Sequence, residues 1–175
     1  HTKYGYFWKN LNPAPFLNKK GAGSTSRHFP QGKWLKVSNV KLGASGTKFH
    51  LNGEQYETSL IGEFNGYNAV AALVTAFSQN VPPKAAKKAL ASASAPPGRM
   101  ELIHTQKPFR VFVDYSYESR GLEEALKAVR LFKPRRIIVL FGATGGGRDR
   151  WRRPVMGEIA DQYADIVLVT TDDSY

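Results

Sequence analysis

The sequence predicts an α/β fold in two parts: a β-rich segment closed by helices, then an open βαβ sheet. Three observations predict it. Asn52-Gly53 sits between two strand-like runs, the strongest short hairpin signal because a type I′ turn needs positive φ at both central positions. Residues 137–141 and 166–170 are continuous apolar runs of strand length, which suit strands buried on both faces of a parallel sheet. Helical periods lie around and between them, in the alternation that builds α/β sheets.

Residues 1–32 show no clean period. Tyr4, Tyr6, Phe7 and Trp8 stand among Lys3 and Lys9, and Pro13, Pro15, Gly21 and Gly23 follow. A loose connector is expected there. Residues 33–61 read as β, with strands at 47–51 and 54–60; Phe49 and Leu51 alternate as on a half-buried strand. Val70, Leu73, Val74 and Phe77 then follow i, i+3, i+4, i+7 and predict a helix over 65–80, ended by Asn80 and Pro82. A second helix is expected over 83–93, with Ala86, Ala89 and Leu90 as its narrow apolar stripe.

Ser94-Ala-Pro-Pro-Gly98 stops that helix and marks a domain boundary, dividing the chain into 1–97 and 98–175. Beyond it, strands are expected at 99–105 and 109–115. Leu122, Ala125, Leu126 and Val129 predict a helix with Ser119 as N-cap. The strand at 137–141 runs into a glycine-rich loop at 142–147. A helix over 154–163 follows, with Pro154 in its first turn, and then the strand at 166–170.

Composition narrows the classes. Twenty-five Lys+Arg against 14 Asp+Glu leave a net charge of +11. Hydrophobic content of 42% supplies a core, so a disordered basic tail is excluded. There is no cysteine, which removes disulfides, thiolate metal sites and cysteine nucleophiles. No apolar run reaches the roughly 18–20 residues of a membrane span. Residue 1 is His and no signal peptide is visible, so a piece of a longer chain is expected. The positive charge suits nucleic acid, phosphate-bearing small molecules, or simply a solvated surface.

Five constellations carry candidate chemistry, each with a plainer reading beside it. Gly142-Ala-Thr-Gly-Gly-Gly147 lets backbone approach an anion, or is only a strand-to-helix turn. Arg148, Arg150, Arg152 and Arg153 around Trp151 can grip phosphate or carboxylate, or pair with Asp149 at a solvated helix start. Asp114 ends a strand, where it can accept hydrogen bonds from a ribose or serve a turn. Arg99 in Pro97-Gly-Arg-Met-Glu101 can reach into a cleft, or pair with Glu101 on the surface. Asn65 and Asn68 can read an adenine edge, or Asn65 can cap a helix.

The order of these pieces resembles the Mur ligase family, ATP-dependent amide ligases that add amino acids to UDP-N-acetylmuramyl peptides. The pieces are G-E-F-N-G-Y-N-A-V-A-A at 62–72, P-G-R-M-E at 97–101, V-D-Y at 113–115, F-G-A-T-G-G-G-R-D-R-W-R-R-P at 141–154 and T-T-D-D-S-Y at 170–175. The resemblance runs from about Lys33 to the last residue and is nearest to the tripeptide-synthetase branch. It implies that 1–97 is the latter part of the central, ATP-binding domain and that 98–175 is a truncated, Rossmann-like C-terminal ligase domain.

The resemblance also implies roles. Asn65 and Asn68 match the adenine side, Arg99 and Asp114 the ribose, and Tyr117 the nucleotide side. Arg148 and Arg152 match positions near the transferring phosphate, which makes them the expected catalytic pair. Arg153, Asp172, Asp173 and Tyr175 match the side that takes the incoming amino acid. The implied cofactors are ATP and magnesium, the latter with ligands upstream. The implied partners are a UDP-N-acetylmuramyl peptide and an amino acid. A cytoplasmic monomer with no nucleic-acid or membrane partner is implied. The implied reaction passes through an acyl phosphate, with no general base in these residues.

The departures bear on function. The family's D-Y-A-H-x-P reads Asp114-Tyr-Ser-Tyr117-Glu-Ser119 here. Tyr117 cannot carry a proton near neutral pH as His does. Tyr175 stands where an arginine would fork the second carboxylate of diaminopimelate, which argues against assigning that substrate. The glycine loop is one residue longer than the family's common form. No G-x-x-G-K-[ST] segment is present, so the chain alone is expected to hold ATP phosphates poorly. The other readings are a related ligase of the folylpolyglutamate or cyanophycin synthetase type, a non-catalytic Mur-like partner, and a nucleic-acid-binding module.

Overall fold

The computed structural model describes residues 3–8, 32–143 and 149–171. The chain divides into two compact units, 1–94 and 95–175.

The first unit holds a four-stranded sheet in the order β1 (Lys3–Trp8), β2 (Gly32–Gly43), β3 (Gly46–Leu51), β4 (Glu54–Thr58). β1 lies parallel to β2, while β2, β3 and β4 form an antiparallel meander. β1 corrects the expected loose connector: its Lys3–Trp8 backbone pairs in register with Gly32–Val37. Asn52 and Gly53 have φ of 51° and 90°, the paired positive values that a type I′ turn requires, and they close the β3–β4 hairpin. Asn52 also ties the turn to β2, because its Oδ1 accepts the Lys36 amide at 2.7 Å. At the other hairpin Gly46 has φ of 127°, and a Cβ there would lie 2.0 Å from the Thr58 carbonyl oxygen. Only glycine fits.

Two helices cover this sheet. α1 (Glu63–Ser78) sends Ala69, Val70 and Leu73 inward, and α2 (Pro83–Ala91) sends Ala86 and Leu90. They meet Leu35, Val37, Phe49, Leu51 and Tyr56 from alternate strand positions. Ala89, expected in the α2 stripe, is exposed. α1 ends in a Schellman arrangement. Asn80 takes φ of 60°, its amide donates to the Phe77 carbonyl, and the Val81 amide donates to the Ala76 carbonyl.

The second unit holds two pairs of strands. β5 (Glu101–Ile103) runs antiparallel to β6 (Val111–Val113), both shorter than expected. β7 (Ile138–Phe141) runs parallel to β8 (Ile166–Val169). α3 (Ser119–Arg130) and α4 (Arg152–Tyr163) pack together on β7, with Leu122, Leu126, Ile137 and Met156 at the centre and Val139 and Phe141 against them. Asp165 closes the β7 entry by accepting the Ile137 amide at 2.7 Å.

Burial of β7 and β8 on both faces is overturned. Ile138 and Leu140 are 60% and 66% exposed, because α3 and α4 cover only the face that carries Val139 and Phe141. Val169 on β8 is 73% exposed. Ser119 is not the cap of α3. Glu118 occupies that position in extended backbone, and Ser119 is the first helical residue, its buried Oγ without a hydrogen-bond partner. Among the described residues, no helix is long and apolar enough to cross a membrane.

Candidate functional site

In the first unit the candidates lie on the opening turns of α1. The helix starts from Gly62, whose φ of 90° suits glycine, and no side chain caps it. Asn65 therefore does not act as the N-cap. Its Nδ2 turns back to donate to the Ile61 carbonyl at 2.8 Å, and its Oδ1 accepts a long bond from Asn68 Nδ2 at 3.4 Å. The i, i+3 spacing places both carboxamides on one face. Asn68 is the more exposed of the two.

In the second unit the candidates gather around the segment that follows β6. Asp114 immediately follows the last residue of β6. Its Oδ2 accepts the Met100 amide at 2.7 Å, and its Oδ1 accepts the Ser116 hydroxyl. Met100 is buried with φ of 48°, so the carboxylate fixes a left-handed kink in the Pro-Gly-Arg-Met-Glu segment. Gly98 completes that kink with φ of 70°: its amide donates to Glu101 Oε2 at 2.7 Å and its carbonyl accepts the Tyr115 amide at 2.8 Å.

A ladder of alternating chemistry runs outward from this kink. The Arg99 guanidinium lies 5.2 Å from the Tyr115 ring centre. Tyr115 meets Tyr117 edge-on at 5.6 Å, and the Arg152 guanidinium lies 5.9 Å from the Tyr117 ring. Cations over aromatic faces at such distances attract the ring quadrupole. Tyr115 remains 66% exposed, so an aromatic face is open beside the Asp114 carboxylate.

Arg152 is the buried end of the ladder. Its side chain is 8% exposed, against 51% for Glu118 and 55% for Asp149. Nη1 bonds Glu118 Oε1 at 2.6 Å and reaches the Tyr117 carbonyl at 3.4 Å, while Nη2 meets Asp149 at 3.0 Å. The pair with Asp149 expected of a solvated helix start thus forms at Arg152, but with the arginine buried rather than solvated. Arg153 on the next position is exposed. Arg148, Asp172, Asp173, Tyr175 and most of the glycine loop lie outside the described residues.

Arg99, Asp114, Tyr117 and Arg152 are thus brought together, while Asn65 and Asn68 belong to the other unit. Tyr115, Ser116, Glu118 and Asp149 are partners that the sequence did not single out as site residues. The i, i+3 spacing of Asp149 and Arg152 is a readable signal. The Glu118–Arg152 bond joins residues 34 apart and has no local signature. A cavity of about 360 Å³ lies at the β5–β6 connection, lined by residues such as His104, Lys107 and Phe109, and none of these candidates lines it.

Residues 98–175 match the family model described as "Mur ligase, glutamate ligase domain". The chain is 42% identical over 143 residues to a UDP-N-acetylmuramoyl-L-alanyl-D-glutamate--2,6-diaminopimelate ligase of Solibacter usitatus, covering 79% of this chain and 29% of that protein. A solved structure of a ligase with the same name aligns with a TM-score of 0.53 at 28% identity, over 79% of this chain and 29% of the other. The UDP-N-acetylmuramate-alanine ligase of Thermotoga maritima shares the fold, with a TM-score of 0.67 at 19% identity over 81% of this chain and 32% of the other. The chain thus spans about 29% of the length of the diaminopimelate ligases it matches. Motif order, strand-end aspartate and matched domain agree: residues 98–175 are a Mur ligase glutamate ligase domain.

Proposed function

We propose that this chain is the C-terminal portion of an ATP-dependent ligase that joins an amino acid to a UDP-N-acetylmuramyl peptide, in the synthesis of peptidoglycan precursors. One observation carries the reading. Asp114, anchored at the end of β6 by Met100 and Ser116, stands beside the open Arg99–Tyr115 stack.

That pairing fits a nucleoside. An ionised carboxylate has about four lone-pair sites, so Asp114 can accept ribose hydroxyls in addition to its two protein donors. Arg99 and Tyr115 offer planar faces on which a base can stack. The described residues do not fit magnesium: no group of three His, Asp or Glu side chains is placed to hold a metal ion, and no step here uses one. When bound, ATP supplies the phosphoryl group that turns a poor electrophile, the peptide carboxylate, into an acyl phosphate open to an amine.

The chain's own residues then bind and orient. Asp114 and Arg99 hold the ribose end. The exposed guanidinium of Arg153, in the first turn of α4, faces anionic oxygens of substrate or amino acid. Arg148 offsets negative charge that develops on the oxygens around the reacting carbon. Asp172, Asp173 and Tyr175 take the amino acid. Tyr175 has no fork for a second carboxylate, so lysine is expected to compete with 2,6-diaminopimelate. The enzyme would act as a cytoplasmic monomer, with no nucleic-acid partner.

The test is phosphate release by the natural polypeptide with ATP, UDP-N-acetylmuramyl-L-alanyl-D-glutamate and either amino acid. Release is expected only when all three substrates are present, in step with the ligated product. Asp114→Ala is expected to weaken ADP binding by at least about tenfold, the loss of roughly 1.4 kcal/mol. ADP binding with no product under any amino acid would replace the ligase by a non-catalytic member of the family.

A further inference from the structure

Among the described residues of the second unit Arg152 is the most buried charge, yet both its carboxylate partners sit at the surface. A guanidinium out of water is costly unless its donors are paired, and here both terminal nitrogens are engaged. Its partners belong to two different stretches of chain. Glu118 and the Tyr117 carbonyl lie at the entry of α3, four and three residues past Asp114. Asp149 immediately follows the Gly142–Arg148 stretch and takes φ of 46°. A planar fork can bridge both stretches at once, which a lysine ammonium does less well.

We infer that Arg152 is a positioning residue that ties the exit of the glycine loop to the segment bearing Asp114 and Tyr117. This assignment rests on the ligase reading for its effect on catalysis, and it replaces direct contact with the transferring phosphate. Tyr117 has a part in it. Its ring lies between Arg152 and Tyr115, so the side chain where the family carries His serves as a packing step from the tie to the Arg99–Tyr115 stack. Tyr117 needs its ring for this, not its hydroxyl.

The experiment uses the natural polypeptide in full, with two readouts. The first is hydrogen exchange of peptides covering 113–120 and 149–154, which needs no activity. The second is steady-state kinetics with ATP varied. Arg152→Met is expected to speed exchange in both peptides together, and to raise KM for ATP about tenfold with kcat within about threefold. Arg152→Lys is expected to recover part of both effects, and Tyr117→Phe to keep the exchange of both peptides at the wild-type rate where Tyr117→Ala does not. Should Arg152→Met fail to fold, Glu118→Gln removes one surface partner and is expected to move both readouts in the same direction by a smaller amount. Faster exchange in only one peptide, a fall in kcat with KM for ATP unchanged, or a silent Glu118→Gln would overturn the inference. If the wild type ligates nothing, the ligase reading falls while the exchange data still decide the tie.

Discussion

The two units are stabilised differently. In the first, Val37, Phe49 and Val70 have no exposed surface, and sheet and helices enclose one core. In the second, the enclosed centre is small, and Ile138 and Leu140 face outward at 60% and 66% exposure. Much of its support comes from side chains that bond backbone: Asp114 to Met100, Asp165 to Ile137, and Arg130 to the Tyr163 carbonyl at 3.1 Å. The difference teaches where each kind of residue is tolerated. Burial is non-directional and gives a firm scaffold, whereas a ligand needs carboxylates and guanidinia at set positions, which directional bonds supply.

The strongest way to break this comparison is Phe49→Ala. Phe49 is fully buried and stacks on Tyr56 at 6.0 Å, so a loss of about 3–5 kcal/mol is expected in the first unit. Exchange of α1 and β3 amides should rise while α3 and α4 stay protected. Equal loss in both units would show one cooperative body and end the contrast.

Asp165→Ala probes the second unit's mode of support. It strips the acceptor from the Ile137 amide at the start of β7. A cost of about 1–3 kcal/mol is expected, read by chemical denaturation followed at α4. A change near zero would mean that packing, not directional bonding, holds that edge.

The smallest expected effect is on acid stability. Glu123 is held below its usual carboxylate range, first by its hydrogen bond from Lys127 at 2.7 Å and also by the Tyr163 hydroxyl. Burial opposes the shift. A lowered folded-state pKa gives stability that is complete above the usual carboxylate range and is lost as pH falls through the lowered value. Glu123→Gln should flatten the acid side of the second unit's stability curve by less than about 1 kcal/mol, since both groups are partly exposed. An unchanged acid slope would show that this pair adds nothing to the polar support.

Legibility followed sequence distance. The Asn52-Gly53 turn and the Asn80 helix end are local: their positive φ values follow from which residues tolerate that region. The inward faces of α1 and α3 follow from helical period. β1 was missed, because pairing of Lys3–Trp8 with β2 depends on a distant strand and leaves no period of its own. The plainer alternative for Asn65, a helix cap, does not form, because an asparagine near a helix start has several local acceptors and here it reaches the Ile61 carbonyl from inside the first turn. At the site, motif order pointed to Asp114 and Arg99 as candidates, and the Asp149–Arg152 pair has a signal in its spacing. The Glu118 bond and the Tyr115–Tyr117 contact were not.

What the sequence by itself determined is the elements from β3 onward, the Asn52-Gly53 turn and the resemblance to a family. These rest on residue-level preferences and on motifs a few residues long. The tertiary structure alone decided which faces of β7 and β8 are covered, and that Arg152 is buried between two carboxylates. The reason is physical: burial and ion pairing depend on distance in space, and the chain brings Glu118 to Arg152 only after α3, β7 and α4 have packed.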